Sequence, residues 1–340
     1  MMPERIDVND YDRARLIHAA LTLYYGQELT QAEVARRLGL STTKVNRLLQ
    51  QARRQGMVEV IIHTPFQPLF DLETRLKAIF ALSDVTVIPR IVEEATAVGH
   101  NLGRAGANCL LQNLRDGDVV GIGGGTAVHA VVQALKPNRP YEVEVVPVLG
   151  AVQGQVTTDV NYLAAHLAER LGGKAYQLHA PAFVDTREHR DVLLSMGPVK
   201  EILDIARRTT VALLGVGAVD SEASRFVQFT ALSAAEMKHI AEDCGGVGEI
   251  AAYVYDIRGR PCAEECANRV VGLSLQELGR IPFTIGVAAT AVKAAPLYGA
   301  LRGGYLDAIV TDEAAAQGIL EFFEQDFREE SYVSVEKRAG

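Results

Sequence analysis

Thr43, Asn46, Arg47, Gln50 and Arg54 are spaced so that they share one face of a helix at about 100° per residue. Amides and guanidinium groups make bidentate hydrogen bonds to base edges, while hydroxyls and cations reach phosphates. The opposite face carries Val45, Leu48, Leu49 and Ala52 at i, i+3, i+4 and i+7, a stripe built to pack inward. Thr42 and Lys44 in the same segment, with Gln31 and Tyr25 just before it, complete a candidate DNA-contacting set: Tyr25, Gln31, Thr42, Thr43, Lys44, Asn46, Arg47 and Gln50. Arg36, Arg37, Lys44, Arg47, Arg53 and Arg54 cluster, and no acid falls between Val34 and Val58. An ordinary amphipathic helix pair would show the same apolar stripe, but not this run of unopposed cations.

A second group of residues suits an anion. Val119-Val-Gly-Ile-Gly-Gly-Gly-Thr-Ala-Val-His129 reads from strand into helix. Glycines there let backbone N–H groups approach a phosphate, and the helix N-terminus adds a favourable dipole. The segment lacks Gly-Lys-Ser/Thr, so it is not a Walker A loop, and Gly121-x-Gly123-x-x-Thr126 lacks the third glycine of a dinucleotide fingerprint. A tight strand-to-helix turn without a ligand is the plain alternative. Gly215-Val-Gly217, Asp256, Lys293 and Asp312 follow other predicted strands, where a carboxylate would accept sugar hydroxyls and an ammonium would meet a phosphate. The candidate effector set is Gly123, Gly124, Gly125, Thr126, Gly150, Gly215, Asp256 and Lys293.

The elements that hold these residues follow from local signals. Thr30 with Glu33 three residues on forms a capping box, and Gly39 suits a helix C-terminus. Ser41 or Thr42 caps the second helix. A preceding helix over 11–25 turns Leu16, Ala19, Ala20 and Leu23 inward, and Val58-Glu-Val-Ile-Ile62 reads as a short wing. Pro65 and Pro68 end the wing, and a helix from Asp71 through Leu72, Leu76, Ile79 and Phe80 packs on the body or pairs protomers. Beyond it, predicted strands at 85–88, 119–123, 143–148, 175–177, 211–215, 251–255, 283–287 and 308–311 alternate with helices such as 95–114, 127–135, 162–171 and 199–208. That alternation predicts a mostly parallel sheet with helices on both faces, whose ligands sit at the carboxyl ends of its strands.

With 340 residues, two domains are expected: a helix-turn-helix head over 1–64 and an effector-binding and oligomerising body over 65–335. Net charge is −8, but the first 64 residues carry nine Lys/Arg against seven acids, leaving −10 on the rest. A mildly basic head on an acidic body keeps a local phosphate-binding face while limiting nonspecific adhesion. No apolar run reaches the roughly eighteen residues of a membrane span, and the acidic N-terminus is no signal peptide, so a cytoplasmic chain with no membrane partner is expected. Cys109, Cys244, Cys262 and Cys266 are unevenly spaced, without the paired motifs of a zinc site. A Cys262–Cys266 metal or redox pair is the minority reading beside incidental thiols, and neither metal nor cofactor is expected.

Taken in order, several motifs resemble the SorC family of bacterial sugar-responsive transcriptional regulators, its DeoR group included. They are Tyr24-Tyr25, Leu29-Thr-Gln-Ala-Glu-Val-Ala, Leu38-Gly-Leu-Ser, Leu48-Leu49, Ala52-Arg-Arg-Gln-Gly-Met-Val, Gly121 to Thr126, Asn161, Ala180-Pro-Ala-Phe-Val184, Gly215-Val-Gly217, Tyr255-Asp256, Lys293, Ala300-Leu-Arg-Gly-Gly-Tyr-Leu306 and Thr311-Asp312-Glu313. The resemblance implies a winged-helix-like head, an α/β effector domain resembling phosphosugar isomerases and deaminases, a homotetramer, and control of a carbohydrate operon through a sugar or sugar phosphate. It places the sugar or phosphate on residues 123–126, with Asp256 and Lys293 completing the pocket. Many members carry Ser-Trp-Gly-Arg-Thr where this chain has Gly123-Gly-Gly-Thr126, which is closer to members that bind phosphorylated sugars; the usual glycine pair before the lysine is Ala289-Thr290 here. The competing function is a phosphosugar isomerase or deaminase with a DNA-binding appendage. His129, Asp220, Asp256 and Glu313 are its candidate acids and bases, without an evident constellation. A pure oligomerising scaffold would leave the glycine turns without a purpose.

Overall fold

The computed structural model describes residues 8–58, 64–89, 95–152, 156–219 and 232–339. The chain divides into two units, Met1–Pro65 and Phe66–Gly340.

In the first unit, α1 (Val8–Leu21) runs into a π turn (Thr22–Gly26), followed by α2 (Gln31–Leu38) and α3 (Thr42–Arg54). Thr30 and Glu33 form the expected capping box, and Gly39, at φ +64°, closes α2 in the left-handed conformation that a side chain resists. Ser41 rather than Thr42 caps α3, its Oγ accepting from Lys44 N at 3.2 Å. Ile17, Ala20, Val34, Ala35, Val45, Leu48, Leu49 and Ala52 form one core. Of the expected wing, residues 59–63 lie outside the described residues.

In the second unit, α4 (Gln67–Phe80) begins four residues before Asp71, with Pro68 in its first turn where a missing N–H costs nothing. A seven-stranded, wholly parallel sheet follows. Its strands are β1 (Asp84–Ile88), β2 (Val119–Ile122), β3 (Glu144–Pro147), β4 (Lys174–Ala175), β5 (Val211–Gly215), β9 (Phe283–Val287) and β10 (Ala308–Asp312). They lie in the order β1-β10-β9-β5-β2-β3-β4. Helices α5 (Ala95–Asn113), α6 (Thr126–Ala134), α7 (Val160–Leu171), α8 (Arg187–Ser195), α9 (Gly197–Ala206), α10 (Ala294–Arg302) and α11 (Glu313–Ala339) accompany it. The central strands are buried without alternation, as in β2 and β10, because helices cover both faces.

The strand expected at 251–255 departs from this plan. It appears as β8 (Tyr253–Asp256), paired antiparallel with β7 (Gly246–Ile250), which pairs in turn with β6 (Gly217–Ala218). The two-residue turn joining β7 to β8 holds Ala251 at φ +49° and Ala252 at φ +68°. Such a turn ordinarily takes Asn-Gly, so Ala-Ala concealed the hairpin.

Candidate DNA interface and effector crevice

Burial of Val45, Leu48, Leu49 and Ala52 turns the rest of α3 outward. Thr42, Thr43, Lys44, Asn46, Arg47 and Gln50 are all exposed. Lys44, Arg47 and Arg54 form no ion pair among the described residues, so their charges remain available to phosphate. Neighbouring cations are positioned instead. Arg53 Nε donates to the Tyr25 hydroxyl at 2.9 Å, Arg13 donates to Gln51 Oε1 at 2.8 Å, and Arg37 donates to Gln27 Oε1 at 2.7 Å. Tyr25 therefore orients Arg53 at the end of α3 before it contacts anything else. Gln31 is half-buried at the start of α2, where Glu33 already occupies the helix N-terminus: its Oε2 accepts from Thr30 N at 2.8 Å. The Thr30 hydroxyl also donates to Oε2 at 2.7 Å, and that bond, with the backbone one, holds the Glu33 carboxyl below its usual range.

In the body, the predicted turn lies at the carboxyl end of β2. Gly123 N donates to Leu213 O at 3.0 Å and Gly125 N to Thr158 O at 3.1 Å, so these two residues shape the turn rather than offer donors. Gly125, at φ +109°, precedes α6 and has no side chain to cap it. The first-turn N–H groups of Thr126, Ala127 and Val128 therefore receive no side-chain cap from Gly125. Gly215 ends β5 directly beside the turn; a Cβ there would stand 3.4 Å from the Gly124 carbonyl oxygen.

From Gly215 the chain passes into β6, where Gly217 lies opposite Glu249 of β7. Sequence reasoning missed Glu249. Its Oε2 accepts from Ala252 N at 3.1 Å, and burial pushes its carboxyl above the usual range, opposed by that bond and by the charge of Lys293. Lys293 ends a 3-10 turn (Ala291–Lys293) after β9, and burial depresses its ammonium, opposed by Glu249. Asp312, buried at the end of β10, pins that turn: its Oδ1 accepts from Thr290 N at 3.0 Å and Ala315 N at 3.1 Å. Thr290 sits at φ +90°, a strained position held by that bond. Gly215 thus abuts the 123–126 turn, and, two residues on, Gly217 abuts Glu249, which interacts with Lys293.

Two expected residues fall elsewhere. Asp256 ends an antiparallel strand, and its Oδ1 accepts from Arg258 N at 2.9 Å and Arg260 N at 2.8 Å, closing the turn after β8. Its Oδ1 is thus engaged in closing that turn. Gly150 spends its N–H on Val271 O at 2.9 Å, and any side chain there would strike the Ala180 and Pro181 carbonyls. Close packing, not a ligand, accounts for that glycine. Asn161 is likewise committed: its amide accepts from Leu178 N at 2.8 Å and donates to Leu178 O at 3.2 Å.

Acid–base chemistry finds little support. His129 is depressed by burial and then by the charge of His166, and no carboxylate bonds either ring among the described residues. Glu313 accepts from Gln317 at 3.3 Å, and Asp220 lies outside the described residues. Two cavities, of about 610 Å³ along α9 and about 420 Å³ between β1 and α5, touch none of the crevice residues.

Comparison with known proteins places both units. Residues 64–321 match the family model described as "Putative sugar-binding domain", and residues 18–55 match that of sigma-70 region 4. The erythritol catabolism regulatory protein EryD of Brucella abortus is 30% identical over 315 residues, covering 92% of this chain and 98% of that protein. The deoxyribonucleoside regulator of Bacillus subtilis is 27% identical over 314 residues, covering 92% of this chain and 99% of the relative. Among solved structures, the full-length sorbitol operon regulator SorC from Klebsiella pneumoniae superposes with a TM-score of 0.70 at 28% identity, covering 91% of this chain and 99% of SorC. All three are regulators rather than enzymes.

Proposed function

The chain belongs to the SorC family of transcriptional regulators, which join a helix-turn-helix head to a sugar-binding domain, and from that premise we propose that a sugar or sugar phosphate seated in its crevice sets its grip on operator DNA. The observation that carries the reading is the start of α6 without a side-chain cap, set beside Gly215, with half-buried Lys293 and Glu249 interacting beyond Gly217. The α6 N–H groups suit an anion, Lys293 supplies a partly desolvated cation, and Glu249 accepts sugar hydroxyls. On the head, Thr42, Thr43, Lys44, Asn46, Arg47 and Gln50 face the operator, with Arg53 oriented by Tyr25.

The reading assigns DNA to residues 1–64, and effector and self-association to residues 65–335. The regulated genes are those of carbohydrate use, and the protein acts in the cytoplasm as a repressor. The form that binds DNA is a homo-oligomer, since helix-turn-helix heads read paired half-sites about one helical turn apart, and the family resemblance makes it a tetramer. The effector acts by favouring one protomer arrangement over another.

A thermal-shift panel of sugars, polyols and their phosphates tests the crevice. A ligand at a hundred times its Kd raises folding stability by about 2.7 kcal/mol. The expected hit stabilises the wild type and leaves Lys293→Met unshifted. A ligand that shifts both equally removes Lys293 from the site.

A further inference from the structure

On the small antiparallel sheet, an imidazole stands between a carboxylate and a thiol. A π turn (His239–Asp243) follows the short helix Ala234–Lys238, and within it His239 Nδ1 lies 2.7 Å from Asp243 Oδ2. The other ring nitrogen, Nε2, lies 3.5 Å from Cys244 Sγ. The i→i+5 spacing of the π turn makes this contact, with Cys244 N donating to His239 O at 3.0 Å. A carboxylate on Nδ1 fixes the proton there, which leaves Nε2 as an acceptor facing the thiol.

A second thiol lies close by. Cys262 N donates to Val254 O at 3.0 Å, which sets Cys262 alongside β8. Val254 packs toward Gly246, where Ile240 of the π turn also arrives, so Cys262 and the relay lie over the same part of the small sheet. Burial, then the charge of Cys244, then Asp256 push the Cys262 thiol up to about 11. Burial likewise pushes Cys109 and Cys266 to about 12. Among the described residues, Cys244 alone of the four has a histidine at its sulfur, and it is half-buried rather than enclosed.

We propose that Cys244 is a hydroperoxide-reactive thiol, with His239 as its base and Asp243 as the group that orients His239, and that Cys262 resolves the product as a Cys244–Cys262 disulfide. His239 Nε2 takes the Cys244 proton, and the thiolate attacks one peroxide oxygen. The O–O bond breaks, sulfur gives up two electrons, and the departing oxygen leaves as alcohol or water with the proton held on His239. The Cys262 sulfur then attacks the sulfenic sulfur; the S–O bond breaks, and the hydroxyl departs with the Cys262 proton as water. Two thiols and one hydroperoxide give one disulfide, one alcohol (water, for hydrogen peroxide) and one water.

Iodoacetamide alkylation of the native full-length protein, followed by peptide mass mapping, tests the relay. Cys244 is expected to react at least about tenfold faster than Cys109 or Cys266, and His239→Gln or Asp243→Asn to slow it about tenfold. Both substituted residues are exposed, so far-ultraviolet circular dichroism should be unchanged. Hydrogen peroxide should then yield a linked peptide pair containing Cys244 and Cys262, and Cys262→Ser should leave Cys244 as a sulfenic acid trapped by dimedone. A Cys244 no faster than the buried thiols, a rate unchanged in both variants, or the absence of the linked pair after full exposure each overturns the proposal.

Discussion

At the scale of single residues, position in the two sites separates contact from support. Arg47 projects from α3 with no ion pair among the described residues, whereas Arg53 is tied to Tyr25. Arg47→Ala should weaken operator binding by roughly 1–3 kcal/mol in a gel-shift titration; unchanged binding would remove Arg47 from the DNA face. In the crevice, charge is held against desolvation. The Glu249 carboxyl is raised, so its protonated form adds stability below its unfolded value, and this is lost as pH rises through the folded value. The Lys293 ammonium is depressed, so charging it costs stability below its folded value, and the cost is relieved as pH climbs toward the unfolded one. An anionic effector favours the charged lysine. Its affinity should therefore fall as pH rises through the depressed range of Lys293, with proton uptake on binding visible by calorimetry in buffers of different ionisation heat. Lys293→Met should abolish that uptake; uptake of equal size in the variant would place the proton elsewhere.

At the scale of elements, what the sequence made legible was local, and what it hid was long-range. The Thr30–Glu33 box, the Gly39 cap and the α3 stripe rest on neighbours within four residues, and each appears where spacing predicts. The 123–126 turn was readable because a strand, a glycine run and a helix are contiguous. Glu249 was not, because its importance comes from Gly217 and Lys293, which lie far from it in the chain. Asp256 misled because a carboxylate after a β-branched run looks alike in parallel and antiparallel strands, and only pairing tells them apart. Gly150 misled because close packing and ligand approach both select glycine. The Ala251–Ala252 turn stores strain beside Glu249, its Ala252 N–H holding that carboxylate. Replacing the pair with Asn-Gly should stabilise the protein by about 1 kcal/mol in denaturant melts. No gain would mean the surrounding sheet already absorbs the strain.

At the scale of the whole molecule, the proposed function requires effector binding on one unit and DNA binding on the other to exchange free energy. The head carries a helix, α3, whose exposed face is cationic, and the body carries a seven-stranded parallel sheet. A ligand shifts DNA affinity only as far as it distinguishes two arrangements of the protein, so tight effector binding alone would not suffice. Coupling between such sites is commonly about 1–3 kcal/mol and acts in both directions. The most direct measurement is therefore fluorescence anisotropy of the protein's own promoter fragment, titrated with and without a saturating ligand from the thermal-shift panel. The account predicts a change of about 5- to 150-fold in operator affinity for the wild type, and none at the same ligand concentration for Lys293→Met. Operator binding that stays constant while the ligand demonstrably saturates the wild-type body would contradict it.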